Sequence, residues 1–193
     1  MVLNVIKNAT ETASTVDTEE SRSSSDITSV GESENERLVL KLEGLHRQGA
    51  LNLEQLDIGD CQIGEHGINS LARLIRANTS LEHICLTGNK AISPSAWERL
   101  GEALQNNTSL CECGLDYTDM RDQGVIHFLG GAEGNKSLQS LDLEGNKIGD
   151  EGGRRILDFL RSHPNLKDVN LMPGNHINPS LLDEIKREIA ERN

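Results

Sequence analysis

With 193 residues, a formal charge of −12 and only 2% aromatic residues, the chain is long enough for one domain with a tail and poorly equipped for nucleic acid, whose binding rests on a basic stripe and stacking rings. Its aromatic side chains are one Trp, one Tyr and two Phe. No stretch is apolar for long enough to span a bilayer as a helix, so neither nucleic acid nor membrane is an expected partner.

Residues 1–6 are mildly apolar but lack the basic start and long apolar stretch of a secretory signal, which makes the cytoplasm, with access to the nucleus, the expected location. Residues 9–32 are crowded with Ser, Thr, Asp and Glu and hold almost no large apolar side chain. Burial cannot offset the ordering entropy of such a segment, so residues 1–32 are expected to be a disordered acidic tail. Within it, Ser23 with Asp26 and Ser29 with Glu32 fit an acidic-directed kinase pattern, and phosphate there would add negative charge. Ser33 and Glu36 then have capping-box spacing, Leu38, Leu42 and Leu45 share one helical face, and Gly49 suits a helix stop. A capping helix is predicted over 33–49 and a repeat array over 50–193.

The array announces itself by self-similarity. Units begin at Leu53, Leu81, Leu110, Leu138 and Leu166, with successive steps of 28, 29, 28 and 28 residues. Each opens with a short alternation whose inward members are Leu56 and Ile58, Ile84 and Leu86, Cys113 and Leu115, Leu141 and Leu143, then Val169 and Leu171. A fixed turn position follows, held by Cys61, Asn89, Thr118 and Asn146, and one residue late by Asn175 after Pro173-Gly174. Side chains of these types can bond backbone groups left unpaired where the coil leaves its strand. Ile63, Ile92, Met120, Ile148 and Ile177 come next, and then apolar residues at helical spacing: Ile68, Leu71 and Leu74; Trp97, Leu100 and Leu104; Val125, Phe128 and Leu129; Ile156, Leu157 and Leu160. Asn178 and Pro179 suit the start of a final helix whose stripe is Leu182, Ile185 and Ile189. One unit of about 28 residues buries too few side chains to fold alone, so neighbours must stack.

These five copies in phase resemble the leucine-rich repeats of the ribonuclease-inhibitor-like class, from Leu53 onward. The resemblance implies an α/β leucine-rich-repeat solenoid, a right-handed β-α superhelix of about five repeats with parallel strands on the concave side and helices on the convex side. Three relatives of the class imply different jobs. Ran GTPase-activating proteins are similar in repeat type, and the likeness would make Arg121 the base facing a small GTPase. Tropomodulins, similar in having about five repeats and a closing helix, cap actin filaments, although the Ser-rich tail shows no counterpart of their tropomyosin-binding segments. Repeat regions of intracellular immune receptors are similar too, without the nucleotide-binding domain those carry.

Several local features take a structural reading. Asn78, Asn106, Asn107 and Asn135 match the glycosylation pattern, yet all precede the repeat starts, where Asn ends a helix, so backbone capping is expected of them. Four cysteines, with Cys111 and Cys113 too close for an ordinary bridge, are expected to be reduced thiols. Gly130-Gly131 and Gly152-Gly153 fall within helical segments and are expected to loosen or bend them.

Strand phase identifies the face available for function. Its positions are Gln55, Asp57 and Gly59; His83, Cys85 and Thr87; Glu112, Gly114 and Asp116; Ser140, Asp142 and Glu144; Asp168, Asn170 and Met172. Six of these are acidic and none is Lys or Arg. Carboxylates stacked on adjacent strands about 4.8 Å apart would repel, and a basic partner would relieve them. Acids tolerated on a solvated face for solubility are the bland alternative. The predicted partner-binding residues are Asp57, His83, Glu112, Asp116, Asp142, Glu144, Asp168 and Asn170, with Tyr117 as an anchor at the concave rim. His83 and Cys85 beside Asp57 and Glu112 suggest a metal site or a Cys/His pair, but no oxyanion device accompanies them and an open face admits water. No glycine-rich phosphate loop follows a strand. The expectation is therefore a non-catalytic adaptor with no cofactor and no metal, binding a basic protein.

Overall fold

The computed structural model describes Gly44 and residues 53–192. The tail expected over 1–32 and the capping helix expected over 33–49 lie outside the described residues, apart from Gly44, which is helical. The rest alternates strand and helix in chain order: β1 Gln55–Asp57, α1 Glu65–Ala77, β2 His83–Cys85, α2 Pro94–Gln105, β3 Glu112–Gly114, α3 Arg121–Gly131, β4 Ser140–Asp142, α4 Asp150–Ser162, β5 Asp168–Asn170 and α5 Pro179–Ala190.

Each strand is joined to the next through a helix, a connection long enough for the strands to run parallel. They form one sheet in the order β1-β2-β3-β4-β5. Register follows the repeat: Leu56, Ile84, Cys113, Leu141 and Val169 lie side by side. All five are buried against the helices, and so are Ile58, Leu86, Leu115, Leu143 and Leu171 one step further on. The result is a solenoid with the sheet on the concave side and helices on the convex side. Its core is one continuous apolar seam, to which each helix adds a buried stripe such as Ile68, Leu71, Leu74 and Ile75 of α1.

Helix boundaries follow from local chemistry. Ser93 Oγ accepts from Ala96 N–H at 3.3 Å with Pro94 behind it, and Asn178 Oδ1 accepts from Leu181 N–H at 3.0 Å ahead of Pro179. At the helix starts of the later repeats a carboxylate reaches forward instead. Asp122 Oδ1 accepts from Gly149 N–H at 2.6 Å, and Asp150 Oδ1 from Asn178 N–H at 2.7 Å. The latter contact holds the Asp150 carboxyl below the usual carboxylate range.

Two side-chain ladders tie one coil to the next. In the turn ladder, Asn146 Nδ2 donates to Leu115 O at 2.8 Å while its Oδ1 accepts from Thr118 and Met120 N–H, both at 3.1 Å. Asn89 does the same work toward Ile58 O and Ile63 N–H, and Asn175, despite its late position, toward Leu143 O and Ile148 N–H. The second ladder stands at the helix exits. Asn107 Nδ2 donates back to Ile75 O and Asn78 O, and Asn135 Nδ2 to Leu104 O and Asn107 O. Asn78, Asn107 and Asn135 are buried and cap backbone as expected, whereas Asn106 is exposed and takes no part in the ladder.

The glycine pairs correct an expectation. Gly130 has open space around it, but a Cβ on Gly131 would sit 2.4 Å from Glu98 O and 2.6 Å from Glu102 N. Across the same interface a Cβ on Gly101 would meet Phe128 O at 2.1 Å. Backbone therefore lies against backbone where α2 meets α3. Gly152 and Gly153 are likewise closed in, by Ile148 with Asp122 and by Leu181 with Ile177. Three of the four are requirements of helix packing rather than points of bending.

Candidate protein-binding surface

The concave residues divide into two groups. Asp57, His83, Glu112 and Asp142, together with Cys85 and Ser140, line a hollow of about 400 Å³ over the first four strands. Asp116, Tyr117, Glu144 and Asn170 gather at the strand-exit rim of the last three repeats. Asp168 is exposed on β5 beside Ser140. Register corrects the expected stacking of acids in two rows of the sheet and keeps it in a third. Along one row Asp57, Cys85, Gly114, Asp142 and Asn170 are neighbours, and along another Gln55, His83, Glu112, Ser140 and Asp168. Neutral residues or His83 separate the carboxylates within these rows, whereas one step past the strands the ladder sets Asp116 beside Glu144.

How each carboxylate is held is the telling detail. Asp57 Oδ1 accepts from Gly59 N–H at 3.0 Å. Asp142 Oδ1 accepts from Glu144 N–H at 2.9 Å, and both its oxygens accept from Asn170 Nδ2 at 3.2 Å. Thr87 donates its hydroxyl to Asp116 Oδ1 at 2.6 Å. Glu144 receives the Tyr117 hydroxyl on Oε1 and the Asn170 amide on Oε2, the latter at 3.3 Å. These donors are neutral, so they orient the carboxylates and leave their charge uncompensated. On this face His83 Nδ1 lies 2.7 Å from Glu112 Oε2 and its Nε2 3.8 Å from Glu82 Oε2.

Acids elsewhere are treated differently. Asp119 is bracketed by Arg121 at 3.0 Å and Lys147 at 2.8 Å, which holds its carboxyl below the usual range. Glu102 pairs with Arg76, Glu184 with Arg161, and Glu65 with Arg99. Arg121 itself stays largely exposed while donating through Nε and Nη2 to Asp119.

The remaining candidates are placed as follows. Cys85 Sγ lies 3.1 Å from Thr87 Oγ1, whereas His83 turns to Glu112, so the two face different partners. Burial pushes the Cys85 thiol up, away from nucleophilic character. None of the four cysteines is bridged in a disulfide, and no metal-holding cluster of His, Cys, Asp and Glu occurs among the described residues. Tyr117 is 44% exposed, and its hydrogen bond to Glu144 pushes the phenol above its ordinary value. Two contributors escaped the predicted set: Thr87, which orients Asp116, and Met172, 50% exposed beside Glu144. Strand phase had put both on this face; their chemical type drew no notice.

A five-coil sheet-and-helix solenoid with buried turn asparagines defines the class of fold: the chain is an α/β leucine-rich-repeat solenoid. The sequence profile described as "Leucine Rich repeat" matches residues 50–72 and 134–157. Human "Leucine-rich repeat-containing protein 73" is 28% identical over 142 residues, 72% of this chain and 45% of that protein, so the chain spans less than half of that relative's length. Among solved structures, "Leiomodin-1 Actin-Binding Site 2 (ABS2)" superposes with a TM-score of 0.66 at 10% identity, covering 84% of this chain and 91% of that one. The tropomodulin C-terminal domain of Caenorhabditis elegans gives a TM-score of 0.66 at 15% identity, covering 80% and 92%. At such identities the likeness is one of fold.

Proposed function

We propose that the solenoid is a non-catalytic interaction module whose concave sheet takes a basic segment of another protein. One observation carries this reading: Asp57, Asp116, Asp142 and Glu144 on the concave sheet are oriented by neutral donors, while Glu65, Glu102, Asp119 and Glu184 outside it each pair with Arg or Lys. Orientation without neutralisation leaves a fixed negative field for an incoming cation and costs little further ordering on binding. Leucine-rich repeats as a class commonly present their concave surface to proteins, which agrees. The two alternatives have less behind them. A GTPase-facing role would rest on Arg121, whose guanidinium is engaged by Asp119. Actin capping would rest on a fold shared with tropomodulin and leiomodin at 10–15% identity.

The test is comparative affinity capture with Asp142→Lys combined with Glu144→Lys. Basic proteins retained by the wild type should be lost by the double variant, with circular dichroism unchanged and with wild-type capture weakening as salt rises. Identical capture by both proteins would overturn the concave reading.

A further inference from the structure

Tyr117 and Met172 are the large hydrophobic side chains left exposed among the described residues, 44% and 50% respectively. They share one corner of the concave rim. Tyr117 N–H donates to Glu144 O at 2.8 Å, which carries the strand ladder one step past β3, and the Tyr117 ring lies over Gly145, where a Cβ would fall 2.4 Å from Cδ1. Gly145 N–H in turn donates to Pro173 O at 2.9 Å, next to Met172. Tyr117, Glu144 and Met172 therefore follow one another on three successive coils, a width of two strand spacings or about 10 Å.

We propose that this corner is an arginine clasp: one guanidinium of the partner lies on the Tyr117 ring and pairs with Glu144 while its methylene stem rests on Met172. The clasp presupposes the proposed reading of the concave sheet as a site for a basic segment. Arginine fits better than lysine because its planar, weakly hydrated cation both stacks on a ring and bonds a carboxylate with a two-pronged fork. Glu144 is prepared for that fork. Each oxygen already accepts one neutral hydrogen bond, from Tyr117 and from Asn170, and a carboxylate offers about four acceptor positions. Exposed Tyr is a favoured anchor at interfaces, and the unbranched thioether adapts to an alkyl stem. Nearby Asp116 and Asp142 add negative charge with no Lys or Arg among the fifteen concave positions, so an acidic ligand or a second copy of this face would be repelled.

The experiment titrates the full chain calorimetrically with a peptide of alternating Arg and Ala and with its Lys counterpart. The Arg peptide should bind about 2- to 5-fold more tightly, the size of an exposed cation–π contact. Tyr117→Asn, a residue at home at the φ of +55° found there, and Met172→Ala should each erase that preference, while Glu102→Gln on the convex helix α2 should keep it. A second readout is ultraviolet titration of the phenol, the chain's single tyrosine. Saturation with the Arg peptide should set a cation against the ring and the Glu144 carboxylate and so lower the phenol's pKa. Preference surviving in Tyr117→Asn, or a phenol titration unmoved by saturation, overturns the clasp. Equal affinity for both peptides, lost together in the Asp142→Lys and Glu144→Lys double variant, overturns the clasp and leaves the concave reading standing. Failure of the wild type to bind either peptide overturns both.

Discussion

His163 stands at the helix-exit position that Asn78, Asn107 and Asn135 occupy in the earlier repeats. Its ring is buried, stacked on Phe159 at a centroid distance of 3.6 Å. Nδ1 lies 2.9 Å from Phe159 O and must donate to it, while Nε2 accepts from Gly134 N–H at 3.2 Å. Only the neutral Nδ1–H tautomer satisfies both contacts. Burial accordingly holds the imidazole below its ordinary value, with lesser pulls upward from the Phe159 carbonyl and Glu133. The unfolded chain therefore binds this proton first. The linked stability is complete above about pH 6.5 and falls as pH drops through that value toward the depressed folded one, with a slope of at most about 1.4 kcal/mol per pH unit. Urea midpoints measured from neutral pH down to about pH 5.5 should show the decline, and His163→Asn should flatten it. A variant as pH-sensitive as the wild type in that window would locate the titration elsewhere.

At the scale of elements, the α2–α3 interface turns adjacent glycines into opposites. An Ala at Gly131 gains helix propensity but drives its methyl into the Glu98 carbonyl, a backbone atom that cannot rotate away. Overpacking of this kind costs about 1–3 kcal/mol and outweighs the propensity gain of about 1 kcal/mol. At Gly130 the same methyl meets nothing within 4 Å. Gly130→Ala should stabilise by about 0.5–1 kcal/mol and Gly131→Ala should destabilise, as read by paired denaturation curves. Two shifts of the same sign would show that the interface yields. The contrast also explains what was legible in the sequence. Strands, inward leucines and turn asparagines were readable from one repeat at a time, because period-two alternation and backbone capping are local. The closeness of α2 to α3 is a distance between coils, and nothing within a single coil encodes it, so Gly131 read as a bend. The surface divides along the same line. Phase alone placed Asp142 and Glu144 on the concave face. The hydrogen bonds by which Asn170 holds Asp142 and Thr87 holds Asp116 join neighbouring coils through register, which no single coil encodes.

For the whole molecule, stability passes from coil to coil, and Arg192 shows how the last described helices join that chain of contacts. Asn107 and Asn135 each donate an amide back to carbonyls at the exit of the preceding helix. Among the described residues no asparagine donates to the exit of α4, and the Arg192 guanidinium takes the role from beyond α5. Nη1 donates to His163 O at 2.8 Å and Leu166 O at 3.1 Å, and Nη2 donates to Leu160 O. Glu188, 2.9 Å away, fixes the fork, and the Arg192 side chain is 11% exposed. Removing the fork strips three carbonyls of a partner at once, in a place where water enters poorly. Each lost contact of this kind costs about 1–3 kcal/mol when the acceptor is left unpaired, and less for Leu160 O and His163 O, which keep the N–H groups of His163 and Leu166. Coupling in a solenoid runs mainly between nearest neighbours, so the loss should stay near its origin. Hydrogen exchange on Arg192→Ala should accelerate in α5 and the last turn of α4 while β1 and β2 keep wild-type protection. Arg192→Lys should rescue little, since one ammonium cannot span the spread of carbonyls that the planar fork reaches. Protection lost equally from β1 to β5 would mean that the five coils unfold as one unit, and the nearest-neighbour account of this solenoid would have to be abandoned.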